Sequence, residues 1–156
     1  RNHDEIRLWA DYVSPGRGEY LVDDAGRRGG LAESAHFCIL GDLNADPVDG
    51  DSYPGAIDQL LKNKRVSPSV SSGDMVPRSP GAAAAEHSQS KKGNPAFHTA
   101  GWGLRVDYVL PSSSLTVKDA GVFWPKEGAK GAELTGQTGR RPNSSDHRLV
   151  WVDILL

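Results

Sequence analysis

Four short apolar runs punctuate this chain, at 36–40, 104–110, 115–124 and 148–155. Each is short, and Val, Ile, Phe, Tyr and Trp are prominent among them, so each reads as a β-strand. In the last run, Leu149, Val150, Trp151, Val152 and Ile154 put apolar side chains on both faces. A strand of that kind has to be covered on both sides, which predicts a layered α/β structure rather than a one-sided sheet. The run Phe37-Cys38-Ile39-Leu40 is expected to be central and buried on both faces too, with Cys38 as a small buried hydrophobe.

Helical periodicity is found in two places. Ile6, Trp9, Tyr12 and Val13 recur at helical spacing, and Asn2 with Glu5 resembles a capping box, which predicts a helix over 3–13. Ala56, Ile57, Leu60 and Leu61 predict a shorter helix over 54–63. Residues 14–33 are rich in Gly, Arg and Asp and read as a loop, with one brief strand near Glu19-Tyr20-Leu21-Val22. Pro47, Gly50 and Pro54 mark another loop. Residues 67–96 are poor in large apolar side chains and dense in Ser, Pro, Gly and Lys, which predicts a mobile surface excursion with a helical turn near Ala82–Ala85. The stretch 125–144 reads as a polar loop. The whole length, 1–156, fits one domain.

Charge and cysteine content narrow the function classes. The net charge is −2, without the basic excess of a tight nucleic-acid binder, which leaves a small or transient phosphorylated substrate open. No apolar run is long enough for a membrane helix. With Cys38 as the single cysteine, an internal disulfide is excluded. Arg1-Asn2-His3-Asp4-Glu5 offers no initiator Met, signal peptide or tag, and reads as a start in the middle of something larger.

Two strings carry most of the chemistry. Gly41-Asp42-Leu43-Asn44 follows one strand, and Ser145-Asp146-His147 precedes another. Side by side, they would offer two carboxylates, an amide and an imidazole to one cleft, a set suited to phosphate-ester hydrolysis by a metal-activated water. Taken singly, the first is also what an Asx-turn at a strand end looks like, and the second a surface turn. A third string, Arg105-Val106-Asp107-Tyr108-Val109-Leu110, places a carboxylate inside an apolar strand, where it needs a partner. His147 is the candidate, because a carboxylate on one ring nitrogen fixes the tautomer and raises the basicity of the imidazole.

In this order the three strings resemble the C-terminal half of the endonuclease/exonuclease/phosphatase superfamily, which includes deoxyribonuclease I, apurinic endonucleases, inositol polyphosphate 5-phosphatases and bacterial sphingomyelinases. The flanking Gly121-Val122-Phe123-Trp124-Pro125 is most similar to uncharacterised secreted bacterial members, a resemblance that implies a secreted or periplasmic location. The resemblance covers most of 36–156. It implies half of a four-layer α/β/β/α sandwich, mainly antiparallel sheet with flanking helices. It implies a metal-dependent phosphoesterase, a nuclease or a phosphatase, using Mg²⁺ or Mn²⁺, with Ca²⁺ as a further possibility. By the same resemblance Asp42 takes part in activating the attacking water and in holding metal, and Asn44 orients the phosphate. Asp146 binds metal, His147 contacts the scissile phosphate, Asp107 holds His147, and Trp102 lines the substrate cleft.

The chain departs from the family pattern in one respect. Relatives add an Asn and a metal-binding Glu from an N-terminal half, and a mid-domain His or Tyr. Glu5, Glu19 and Glu33 do not sit in a matching context. The partners implied are therefore a phosphorylated small molecule or nucleic acid as substrate, and an N-terminal half on this polypeptide or a second chain. The competing reading is a non-catalytic binding or structural module that keeps the fold. Lesser candidates are Asn2 and His3 near the cleft, His98 and Phe97 in a loop, and the basic pairs Lys91-Lys92 and Arg140-Arg141.

Overall fold

Helix α1, Asn2–Val13, forms where the periodicity predicts it, and buries Ile6, Ala10 and Val13 along one face. The expected capping box is absent. Arg1 occupies the N-cap without a side-chain cap, and Asn2 is already helical. Its amide is instead spent on the neighbouring turn, donating to the Leu43 carbonyl at 2.9 Å. Glu5 pairs with Arg1 across one exposed turn. In this computed structural model the described residues are 1–86, 91–136 and 145–155.

The loop after α1 carries only an isolated bridge, Val22 to Arg28, in place of a brief strand. It is pinned to the helix end, where Leu31 N–H donates to the Tyr12 carbonyl at 2.7 Å. Glycine is required there for closeness. A Cβ on Gly30 would stand 2.3 Å from the Tyr12 oxygen.

Among the described residues four strands follow, as two antiparallel ribbons. Strand β1, Cys38–Asp42, pairs with β2, Asp107–Pro111, in a register that sets Asp42 opposite Asp107. Strand β3, Thr116–Phe123, pairs with β4, Leu149–Leu155, through an irregularity between Val117 and Asp119. Just ahead of β4, His147 bridges to Ala100 in the segment that leads into β2. Helices α2, Asp58–Leu61, and α3, Pro68–Ser71, join α1 on one face. There Ile6, Val13, Ile57, Leu60 and Val70 pack with Ile39, Tyr108 and Leu110 from the sheet. The antiparallel ribbons and their helical cover make an α/β fold.

Among the described residues the opposite face is open. Leu40 is 67% exposed, Leu149 68% and Leu155 57%. Strand β1 is accordingly not buried on both faces as its apolar run predicts. Of its residues only Ile39 is buried, and Cys38 is exposed. The reason is that, among the described residues, the helices pack on the face of β1 that carries Ile39 and leave the face of Cys38 and Leu40 uncovered. Strand β4 is likewise covered on one face, where Val152 packs on the core.

The segment 67–96, expected as an excursion, packs against the sheet over its described parts. It contributes α3 and α4, Pro80–Ala84, and buries Val70, Val76, Ala82 and Ala85. Helix α4 starts on a Ser79 cap that accepts from Ala82 N–H, with Pro80 in the first turn. The anchor is Arg105. Its guanidinium donates to the carbonyls of Val70 at 2.9 Å and Ser71 at 3.1 Å, and lies 4.9 Å from the Tyr108 ring centre. Small apolar residues and one buried cation do here what large side chains usually do. The expected loop 125–144 contains one turn of helix, α5, Ala132–Thr135, and its residues 137–144 lie outside those described. Among the described residues no helix is long and apolar enough to cross a membrane.

Candidate active site

The end of β1 turns sharply. Gly41 has φ of 136° and Asn44 of 46°, a region that Gly enters freely and Asn better than most residues. Asp42 stabilises the turn, its Oδ1 accepting from Asn44 N–H at 2.8 Å. Leu43 N–H donates to the Val106 carbonyl, stitching the turn to the chain entering β2. The Asx-turn is therefore real, and it uses one oxygen of the Asp42 carboxylate. Both Asp42 and Asn44 are exposed at the mouth of a groove of about 500 Å³. Asn2, Glu5, Ile6 and Trp9 of α1 line its far side.

Directly across the ribbon is Asp107. Its carboxylate has the partner that its position in an apolar strand demands. His147 Nδ1 lies 3.0 Å from each carboxylate oxygen. The side chains are only partly sheltered, 32% exposed for His147 and 16% for Asp107. Asp107 holds a second partner, the hydroxyl of Thr99, which donates to Oδ2 at 2.8 Å. The His147 ring is also bounded by Trp102, set edge-on with ring centres 5.0 Å apart and planes at 83°. Trp102 is 39% exposed and thus forms a rim beside the imidazole.

Asp42, Asp107 and His147 each offer a ligand atom, and the three atoms lie within 4.8 Å of one another. Two carboxylates are the donors that Mg²⁺ or Mn²⁺ prefers, and such ions keep several waters when so few protein groups hold them. The donor set fits a hard divalent cation. With Nδ1 turned to Asp107, the Nε2 side of His147 is the one left to face a ligand. Asp146 stands outside this trio. It is exposed, and its backbone carbonyl accepts from Gly101 N–H at 2.7 Å, which fixes the turn ahead of β4.

The remaining sequence candidates fall elsewhere. Asn2 reaches the turn of Leu43 as a support, while His3 packs edge-on against Tyr53. His98 is 1% exposed, and burial pushes its imidazole below the ordinary value. Phe97 lies under the Arg78 guanidinium. The backbone of Lys92 and Gly93 donates to the Asp49 carboxylate, so this basic pair marks a loop anchor. Arg140-Arg141 lies outside the described residues.

Two residues beside the site carry no signal in the sequence. Thr99 sits in an irregular loop with no periodicity to point at it. Tyr108 reads as a strand aromatic, yet its hydroxyl lies 2.7 Å from both the Ala45 and the Arg105 carbonyls. Burial raises its pKa far above the ordinary phenol range, so the proton needed for donation stays in place. Through it the loops after Asn44 and before Asp107 are tied together.

No curated protein and no solved structure gives a significant match to the chain. A protein-family model does, that of the Endonuclease/Exonuclease/phosphatase family, over residues 5–147. The match is to the family as a whole, and the likeness of Gly121–Pro125 to secreted bacterial members is no part of it. The matched span runs from α1, across both carboxylate strands, to the imidazole that contacts Asp107. The chain belongs to the endonuclease/exonuclease/phosphatase family.

Proposed function

We propose that this protein is a divalent-metal-dependent phosphoesterase that hydrolyses a phosphate ester by in-line attack of water. Members of the family are typically hydrolases that use a divalent metal, and the carboxylate pair with its imidazole suits that chemistry. The observation that carries the reading is the Asp107–His147 contact, 3.0 Å, set directly across from Asp42.

The roles follow from position. Asp107 accepts from His147 Nδ1–H, which fixes the tautomer and aims Nε2 outward at the phosphate. Where Nε2 also carries a proton, it donates to a phosphoryl oxygen as negative charge builds there. The Asp42 carboxylate, with Oδ1 committed to the turn, presents its remaining oxygen to the attacking water and to the metal. Asn44, held at positive φ beside it, turns its amide to the phosphate. Bound metal supplies Lewis-acid stabilisation of the developing charge and lowers the pKa of water. Asp146 is a further carboxylate for the metal, and Trp102 forms the substrate-facing rim.

A small phosphorylated molecule is the favoured substrate over nonspecific nucleic acid, because the net charge of −2 gives little attraction for a polyanion. The open apolar face, with Leu40, Leu149 and Leu155, is proposed to be covered by a second sheet layer. That layer is the N-terminal half, on this polypeptide or another chain, and it supplies the acidic metal ligand missing from the trio.

The test is hydrolysis of bis(p-nitrophenyl) phosphate by the complete protein, with and without Mg²⁺ or Mn²⁺, and by His147→Ala. Metal-dependent turnover that falls at least ~100-fold in the variant supports the reading, by analogy with loss of a positioned acid or base. Turnover equal in both proteins overturns it. Ligand binding with no hydrolysis would identify a non-catalytic module on the same fold.

A further inference from the structure

The hydroxyl of Thr99 stands where three hydrogen bonds cross. It accepts from the backbone N–H of Val106 and of Asp107, each at 3.0 Å, and donates to Asp107 Oδ2 at 2.8 Å. A hydroxyl has one proton and two lone pairs. Both lone pairs are taken by N–H groups, so the proton has one place to go, the carboxylate of Asp107. Thr99 is 1% exposed, so water does not compete for these positions.

The same residue also reaches the other member of the pair through its backbone. Its carbonyl accepts from Arg148 N–H at 2.8 Å, one residue beyond His147, and the next residue, Ala100, bridges to His147 itself. Its own N–H donates to the Leu104 carbonyl at 2.9 Å, closing the tight loop that carries Trp102. Thr99 thus holds the carboxylate by its side chain and the imidazole strand by its main chain. The two 3.0 Å distances from Nδ1 to the Asp107 oxygens describe a carboxylate presented symmetrically to the ring. Without the Thr99 hydroxyl, the ring itself would be the remaining side-chain partner of that carboxylate among the described residues.

We infer that Thr99 is a positioning residue, which holds the Asp107 carboxylate square to His147 and thereby aims the imidazole. The inference rests on the proposed phosphoesterase reading for its consequence in turnover. Its geometric part is read without any substrate.

The experiment compares Thr99→Val, which keeps the shape and removes the hydroxyl, with Thr99→Ser, which restores it. The first readout is the low-field proton NMR signal of the His147 ring Nδ1–H, assigned by its loss in His147→Gln. The second is kcat and KM for bis(p-nitrophenyl) phosphate with Mg²⁺. In Thr99→Val the ring-proton signal moves upfield or broadens, and kcat falls roughly 10- to 100-fold with KM unchanged, the range seen when an outer partner of a site histidine is removed. In Thr99→Ser both return to the parent values. A folded Thr99→Val with parent signal and parent kcat overturns the inference. If Thr99→Val does not fold, Thr99→Cys takes its place as a weak donor, and a ring signal equal in Cys, Ser and parent proteins overturns the inference equally. Absence of any turnover in the parent protein refutes the phosphoesterase reading alone, because the ring signal still decides the role of Thr99.

Discussion

Tyr108→Phe isolates one atom that couples the core to the site. The ring packs in the main core and is retained, so no cavity term arises beyond the oxygen itself. What is lost is a buried hydroxyl 2.7 Å from two carbonyls, those of Ala45 and Arg105. A typical intramolecular hydrogen bond is worth about 1 kcal/mol net, and leaving a buried acceptor unpaired costs about 1–3 kcal/mol. One proton serves both carbonyls, so the two cannot both be counted at full value. Removing the hydroxyl also returns its own cost of burial. The balance is a destabilisation of about 2 kcal/mol. In a chain of this size 1 kcal/mol moves Tm by about 2–4 °C, so a drop of about 4–8 °C is expected. The assay is thermal unfolding followed by circular dichroism and calorimetry at one pH, on parent and variant. The carbonyls tied by Tyr108 flank Asn44 and Asp107, so kcat should fall along with Tm. A Tm change below about 1 °C would refute the reasoning, because it would mean that these carbonyls find other donors at no cost.

Two further predictions concern stability. Gly30→Ala forces a Cβ to within 2.3 Å of the Tyr12 oxygen, so the Leu31–Tyr12 bond must break or the loop must move. Overpacking of this kind costs about 1–3 kcal/mol, and an unchanged Tm in calorimetry would show that the loop gives freely. His98 makes acid destabilising. Burial lowers its folded-state pKa below the ordinary 6.5, so the unfolded chain binds the proton more readily. The stability contribution is full above the unfolded value and is lost as pH falls from there through the depressed folded value. His98→Gln removes that slope, and Tm of the parent should fall more than that of the variant between about pH 7.5 and 5. Equal losses would contradict the assignment.

Much of the geometry of the candidate site is legible because its members carry chemical demands that sequence exposes. Asp107 in an apolar strand requires a partner, and His147 meets that requirement at 3.0 Å. Asp42 after an apolar run marks a strand end, and the register places it across from Asp107. What escaped were contacts that depend on irregular backbone. Thr99 reaches Asp107 from a loop whose path no periodicity encodes. Asn2 suggests a cap by its spacing to Glu5, yet its amide gains more by satisfying the Leu43 carbonyl. The described parts of the segment 67–96 show a related effect. A buried guanidinium at Arg105 binds the Val70 and Ser71 carbonyls, and a lone Arg at the start of an apolar run gives no sign of pointing inward. Alternating or continuous apolar residues identify strands but not their neighbours. Cys38 and Leu40 were therefore expected inside, and lie on an open face.

The central claim is that Asp42, beside the Asp107–His147 pair, serves metal-assisted attack of water on a phosphate ester. The most direct measurement is the Mg²⁺-dependent rate of bis(p-nitrophenyl) phosphate hydrolysis by the complete protein and by Asp42→Ala, with folding of both verified by circular dichroism. The account predicts metal-dependent turnover in the parent and a loss of at least ~100-fold in the folded variant. Equal turnover in the two proteins would contradict it.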